Sequence, residues 1–275
     1  MRADLHVHST ASDGTLSPGA LVQLAARNRV AVVALTDHDS IAGVQSAIEA
    51  ATPLGISVIP AVELSAAVGE RSVHILGYFV DIFDRALLGA LADLRAARVE
   101  RAIGIVRSLQ DAGYDITPDA VMALSGGGAV GRTHIARTLV SLGHAENVSD
   151  AFERLVGRGK PFYRPKAHLS PEKAIQRIVA AGGIAVMAHP GVSGTEDLID
   201  GLAVLGLRGV EAHHVDHTAE QRATLVACAD RLGLLKTGGT DYHSPHAPHP
   251  DLGELNFPEA DLRAFLDAGA GPQQP

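Results

Sequence analysis

Cysteine is nearly absent from this chain of 275 residues, with Cys228 the single example, and tryptophan is missing altogether. One thiol excludes a disulfide framework and a cysteine-built zinc site. No apolar run approaches the roughly 18 residues of a membrane span. The opening Met1-Arg2-Ala3-Asp4-Leu5-His6 meets polar residues too soon for a secretory leader, so a cytoplasmic protein without a membrane partner is expected. Positive charge is scarce as well: 23 Lys and Arg face 31 Asp and Glu, a formal net charge of −8, which argues against a dedicated nucleic-acid surface.

What the chain has in abundance is histidine, 14 in all, within a composition that is 46% hydrophobic and ample for a buried core. Charge is unevenly spread. From Asp84 to Lys166 there are 12 basic and 9 acidic residues, and everywhere else acid outnumbers base two to one. That pattern suits cations in an acidic body and an anion gripped by a basic middle, with plain fluctuation of surface charge as the alternative.

Periodicity divides the chain in the same places. Val30 to Leu35 and Ile56 to Val62 are too short for helices and rich in β-branched residues. Ser17-Pro18 and Ser40 stand between strands as helix starts, the first with proline at the first helical position. Beyond Asp84 strand signals stop. Leu87, Leu91, Leu94, Ile103 and Val106 recur near helical spacing, Thr117-Pro118 opens a second helix, and Gly126-Gly127-Gly128 precedes a third near Arg132. Alternation resumes at Ser170-Pro171, with strands at Ile184 to Ala188, Gly209 to Ala212 and Leu234 to Thr237, and the tail from Gly269 frays. Strand–helix alternation predicts a parallel α/β body, a (β/α) barrel or open sheet, built from residues 1–83 and 167–275. An α-helical insert, residues 84–166, interrupts it.

Placed on that map, nine candidate ligands converge. His6 and His8 end the first strand and Asp13 follows in its loop; His38 and Glu63 close the next two. His74 lies in a strand-like run from Val73 to Phe79; His189 closes the strand after the insert, and Asp241 and His243 close the last. In α/β barrels the C-terminal strand ends form one rim where sites are built. Imidazole and carboxylate together suit zinc, manganese and iron. Two residues apart on a strand, His6 and His8 face the same side. His134, His144 and His168 lie off the strand ends and read as surface or packing residues. His213, His214 and His217 read as an exposed loop, with an outer role at the metals as the alternative for the first two, and His246 and His249 stay ambiguous.

In order along the chain, Asp4-Leu5-His6-Val7-His8-Ser9, Thr36-Asp37-His38-Asp39, Glu63, His74, His189-Pro190 and Gly239-Thr240-Asp241-Tyr242-His243 resemble the motifs of the PHP (polymerase and histidinol phosphatase) family. Within it the chain looks most similar to stand-alone nucleoside 3′,5′-bisphosphate phosphatases and 5′-to-3′ exoribonucleases, which share the insert and a Gly-Arg-x-His element, here Gly131-Arg132-Thr133-His134. The resemblance implies a distorted seven-stranded (β/α) barrel and three divalent metal ions, manganese, iron or zinc. His6, His8, Glu63 and Asp241 would hold the first ion. Glu63 would bridge to the second, completed by His74 and His189, and Asp13, His38 and His243 would hold the third.

The expected chemistry is attack on phosphorus by a water acidified between ions. Asp37 and Asp39 are expected to orient imidazoles from behind. At the start of its helix, Arg132 is expected to grip a phosphate, with His134 beside it, unless Arg132 merely pairs with an insert carboxylate. Lys160, Arg164 and Lys166 add positive charge or form a solvated basic stretch. The leading reading is release of the 3′-phosphate from a nucleoside 3′,5′-bisphosphate. Its rivals are trimming of short 5′-phosphorylated RNA, histidinol-phosphate hydrolysis, and a non-catalytic metal-binding module. No obligate protein partner is evident.

Overall fold

The computed structural model describes residues 1–165, 169–245 and 250–270, so Lys166, His168, His246, His249 and the tail beyond 270 lie outside the described residues. Seven strands form one sheet in chain order: β1 (Ala3–Val7), β2 (Val32–Leu35), β3 (Ser57–Val68), β4 (Arg71–Tyr78), β5 (Ile184–Met187), β6 (Gly209–His214) and β7 (Leu235–Gly239). All neighbours run parallel except β4, which is antiparallel to both β3 and β5. Just past β7 the His8 N–H donates to the Tyr242 carbonyl at 2.9 Å, which curls the sheet into a nearly closed, distorted barrel.

Around it lie α1 (Pro18–Arg27), α2 (Val44–Ala51), α3 (Arg85–Asp111), α4 (Pro118–Ser125), α5 (Arg132–Ser141) and α6 (Val148–Ala151), the last continuing into a π-turn, Phe152–Val156. Then come α7 (Pro171–Ala180), α8 (Pro190–Ser193), α9 (Ile199–Val204), α10 (Ala219–Leu232) and α11 (Glu259–Ala270). No helix among the described residues is long and apolar enough to cross a membrane. Ser17, Thr117 and Ser170 cap α1, α4 and α7 through their hydroxyls, each ahead of a proline.

Two readings need correction. Ser40 does not start a helix: α2 begins at Val44, because residues 37–43 are spent on a loop that carries His38 across the barrel end. β3 does not stop at Glu63 but continues to Val68, since β4 pairs with it residue for residue from Ala61↔Tyr78 to Val68↔Arg71. Gly69, with φ at +59°, makes the tight turn between them.

Side-chain alternation sorts the core into layers. Ala3 and Leu5, Val32 and Ala34, Ile59 and Ala61, Leu76 and Tyr78 fill the barrel interior, closed at one end by Leu262 and Phe265 of α11. The residues between them, such as Val33, Val62, Leu64 and Ile75, pack outward against α1, α2 and α7. A third cluster lies in the helical region and includes Ile105, Val106, Leu109, Val121, Ile135 and Leu139. α3 serves two of these: Leu87, Leu91 and Leu94 join the barrel's outer layer, and Ala102 onward joins the helical cluster.

Candidate metal centre

The metal-type side chains are the next layer of the barrel interior. On β3 the inward series Ile59, Ala61 continues as Glu63; on β4 the series Tyr78, Leu76 continues as His74. Because β4 runs backwards, its first half reaches the rim that the other strands reach with their last, which brings His74 there from mid-strand. On β1 the register slips by one residue between Asp4 and Val7. Bulges of this kind re-aim side chains; here Leu5, His6 and His8 all face the interior while Val7 faces the helices. His189 and Asp241 leave their strands with φ at +27° and +50°, left-handed conformations of the sort stored at functional sites.

Glu63, fully buried, sits at the middle. Its Oε1 lies 2.7 Å from His74 Nδ1 and 3.2 Å from His189 Nε2; its Oε2 lies 2.8 Å from His38 Nδ1, 3.3 Å from His8 Nε2 and 3.4 Å from His6 Nε2. Asp241 Oδ1 is 3.0 Å from His8 Nε2 and 3.3 Å from His6 Nε2, and Asp13 Oδ1 is 3.3 Å from His243 Nε2. All nine candidate ligands therefore meet, in overlapping groups compact enough to grip ions: His6, His8 and Glu63; His6, His189 and Asp241; His38, Glu63 and His74; and His8, Asp13, His38 and His243.

Six atoms that face the centre, His6 Nε2, His8 Nε2, Asp13 Oδ1, His38 Nδ1, Glu63 Oε2 and Asp241 Oδ1, are buried without a hydrogen-bond partner among the described residues. Leaving such atoms unmet is costly, and carboxylates crowded this way repel unless positive charge joins them. Nitrogen and carboxylate donors converging with bare lone pairs fit divalent cations.

Electrostatics without ions shows the same demand. Burial lowers the pKa of His8, but Asp241 and Glu63 outweigh it and lift the ring to about 10. At His38 burial wins, and its pKa falls to about 4. Burial opposes ionisation of Glu63, yet His38, His74 and His6 hold its carboxyl well below the usual range. Protons on some rings thus supply the positive charge that cations would replace.

Behind the ring of ligands lies a carboxylate that the sequence reading missed. Both oxygens of Glu211 face His6 Nδ1, at 3.0 and 3.2 Å, and Oε2 also accepts the His189 N–H at 2.8 Å. Donation from Nδ1–H leaves the His6 Nε2 lone pair aimed at the centre. Its only sequence signal is a carboxylate inside the otherwise apolar run Gly209 to Ala212. Asp37 and Asp39 differ from expectation: Asp37 accepts from Ser9 N–H, Ser9 Oγ and Ser12 Oγ at 2.6 to 2.7 Å, reaching His8 only through Ser12. Asp39 accepts the Ser65 N–H at 2.7 Å and the Arg98 guanidinium at 2.6 Å. Through these bonds both tie loops together.

His213, His214 and His217 are buried, not on an exposed loop, because a bulge between Glu211 and His213 carries β6 on to His214. His214 Nε2 stands 3.8 Å from Asp241 Oδ2, His213 pairs with Asp261, and His217 joins the Gly191 N–H to the Ala212 carbonyl. His144 packs edge-on against Tyr114.

Residues 4–156 match the PHP domain. The chain belongs to the PHP family. It is 37% identical to a 3′,5′-nucleoside bisphosphate phosphatase of Chromobacterium violaceum, over 91% of this chain and 90% of that one. It is 39% identical to a 5′-3′ exoribonuclease of Haemophilus influenzae, over 88% and 90%. A solved structure from Bifidobacterium adolescentis shares the fold with a TM-score of 0.90 and 34% identity, covering 96% of this chain and 95% of that one. The chain is accordingly a phosphoester hydrolase of the PHP family, with side chains at the rim that can hold metals.

Beside the PHP rim opens a cavity of about 220 Å³. Asp13, His38 and His74 form one wall; Arg98, Arg101, Arg132, Arg158, Phe152 and Tyr163 form much of the other. Arg132 donates to the Val156 carbonyl at 3.3 Å and lies over the rings of Phe152 and Tyr163, 5.4 and 5.3 Å from their centroids. No carboxylate among the described residues pairs with it, so the alternative of an insert ion pair is not realised. His134 is turned away from the cavity. Its Nδ1 accepts the Gly131 N–H at 3.0 Å and its ring also bonds the Ser12 backbone, which fastens this loop, and it does not line the cavity. Thr133 Oγ1 donates to Asp13 Oδ2 at 3.2 Å. At Gly128 a Cβ would lie 2.4 Å from the Thr10 carbonyl oxygen, so only glycine allows this loop to dock on the Thr10–Asp13 loop. Lys160 is exposed, and Arg164 is occupied by Ser108, so neither forms a cavity wall.

Proposed function

We propose that this phosphoesterase releases the 3′-phosphate of nucleoside 3′,5′-bisphosphates in the cytoplasm, using three divalent ions, manganese before iron or zinc. His6, His8, Glu63 and Asp241 would hold the first, Glu63, His74 and His189 the second, and Asp13, His38 and His243 the third. The observation that carries the reading is the cavity wall: guanidiniums of Arg101 and Arg132, without carboxylate partners among the described residues, face a rim built for cations. Such a pair of walls suits a small substrate with two anionic groups, one at the rim and one at the arginines.

When bound, the ions supply Lewis acidity toward the phosphoryl oxygens and a water acidified to near-neutral pH. The protein's own part is placement. Glu63 presents an oxygen to either side of the rim, Glu211 fixes the His6 ring, and Thr133 fixes Asp13. Arg132 and Arg101 hold the phosphate that is not cleaved. Phe152 and Tyr163 give the base or ribose a flat apolar surface and shield the guanidinium from water.

The relative named as an exoribonuclease supports a second reading, in which the same pocket takes the 5′-terminal nucleotide of a short RNA. Histidinol phosphate has one phosphate and would leave the arginines unmatched, and a non-catalytic role leaves the cavity beside the rim without purpose. The test is phosphate or nucleotide release from adenosine 3′,5′-bisphosphate, a short 5′-phosphorylated RNA and histidinol phosphate, with manganese added. Preference for the bisphosphate is expected. Preference for RNA moves the assignment to the second reading, and hydrolysis of histidinol phosphate alone overturns both.

A further inference from the structure

We propose that Arg98 is a positioning residue that locks the rim and the substrate cavity into one geometry. No motif singles it out. It lies on α3 between the part of that helix that packs on the barrel and the part that enters the helical cluster, and only 6% of it is exposed. Its Nε donates to Asp39 Oδ2 at 2.6 Å, its Nη2 to Ser65 Oγ at 3.0 Å, and its Nη1 points at the Val130 carbonyl at 3.5 Å.

Each contact reaches a different working segment. Asp39 follows His38, is held at a φ of +50°, and sends its own N–H to the Glu63 carbonyl at 2.9 Å. Ser65 stands two residues beyond Glu63 on the same face of β3, and its N–H is bound by Asp39 at 2.7 Å. Val130 precedes the Gly131-Arg132 helix start. One planar fork therefore joins the loop of His38, the strand of Glu63 and the loop of Arg132. A lysine, with a single point of charge, cannot make the three directed contacts together. Misplacement of reacting groups by about 1 Å is enough to slow catalysis severely.

The inference rests on phosphoester hydrolysis at this rim, not on the nucleotide reading, so its test uses an aryl phosphate that makes no demand on the arginine wall. In Arg98→Ala, kcat on that substrate is expected to fall ~10- to 100-fold, as for other residues that hold metal ligands from behind, with KM within ~2-fold. Manganese titration of the metal-free variant, followed by calorimetry, should show weaker binding at the weakest site while thermal unfolding stays cooperative. Millimolar guanidinium should restore part of kcat, and methylammonium should not. Adding Asp39→Asn to Arg98→Ala should cost little more than either change alone. Arg98→Lys serves where the alanine variant does not fold, and should keep the fold but not the rate. Wild-type kcat in Arg98→Lys, a loss indifferent to guanidinium, or a change confined to KM would each overturn the proposal.

Discussion

The two walls of the site are opposites. The barrel wall is crowded with Asp13, Glu63, Asp241 and seven histidines within reach of one another, and without ions its positive charge comes from protons on some of the rings; the cavity's other wall gathers Arg98, Arg101, Arg132 and Arg158, and only part of that charge is met. The first wall rides on strand ends fixed by sheet hydrogen bonds, and the second rides on helices fastened to it by a handful of contacts from Arg98, Thr133, His134 and Gly128. On the proposed function, reaction chemistry falls to the rigid wall and substrate choice to the attached one. Substitutions on the two sides should fail in different ways.

The sharpest break is at Glu63. Glu63→Gln keeps the shape, removes the central charge, and should lower activity by more than the ~100-fold that outer residues command, with metal content falling alongside. Full activity with full metal content, by elemental analysis, would sink the trinuclear assignment. Arg132→Ala comes next: loss of a charge-assisted contact of ~1.5–3 kcal/mol should lower kcat/KM on a bisphosphate roughly ten- to two-hundred-fold. An aryl phosphate should be hydrolysed nearly as before, and an equal drop on both would place Arg132 in the support of the rim instead.

Glu211→Ala should lower metal affinity and kcat by ~10-fold or more on every substrate, since it frees the His6 ring without touching the cavity; a substrate-selective effect would contradict that division. pH separates the walls without mutation. In the metal-free protein His8 stands at about 10 against an ordinary 6.5, so its proton stabilises the fold fully below about 6.5, and that contribution is lost as pH rises toward about 10. Melting temperature of the metal-free protein should therefore drop from pH 7 to 10 more steeply than with manganese, and binding near pH 8 should release protons, visible by calorimetry in buffers of different ionisation heat. The smallest effect is expected at the cavity mouth, where Glu70 and Arg158 form an exposed pair at 3.3 Å. Glu70→Ala should change kcat/KM less than ~5-fold, the range of a surface ion pair.

The rim was legible because its signals are local: His6 and His8 two apart, His38 inside Thr36-Asp37-His38-Asp39, Asp241 and His243 after a short strand. What sequence did not reveal depends on distance. Glu211 meets His6 from 205 residues away, and nothing near either one announces the pair. Arg98 looks like any charge on a long helix until Asp39, 59 residues earlier, is seen against it. The bulge in β1 is equally silent in sequence, although without it His6 and Leu5 would face opposite sides. His214 and His217 resembled a polar loop because the bulge that extends β6 replaces the expected turn.

α3 has a consequence for how such enzymes can be rebuilt. Its first three turns pack into the barrel's outer layer and its last three into the helical cluster, so the helix is an axle shared by two cores, not a hinge between them. A chimera cut at Asp84 would strip Leu87, Leu91 and Leu94 from the barrel and leave a hole in its side. One joined just after Arg98 would keep the barrel sealed and the clamp on Asp39 in place, and exchange the helical cluster together with Arg101 and Arg132 of the cavity wall. On the proposed function, the helix marks the point where new specificities can be spliced in.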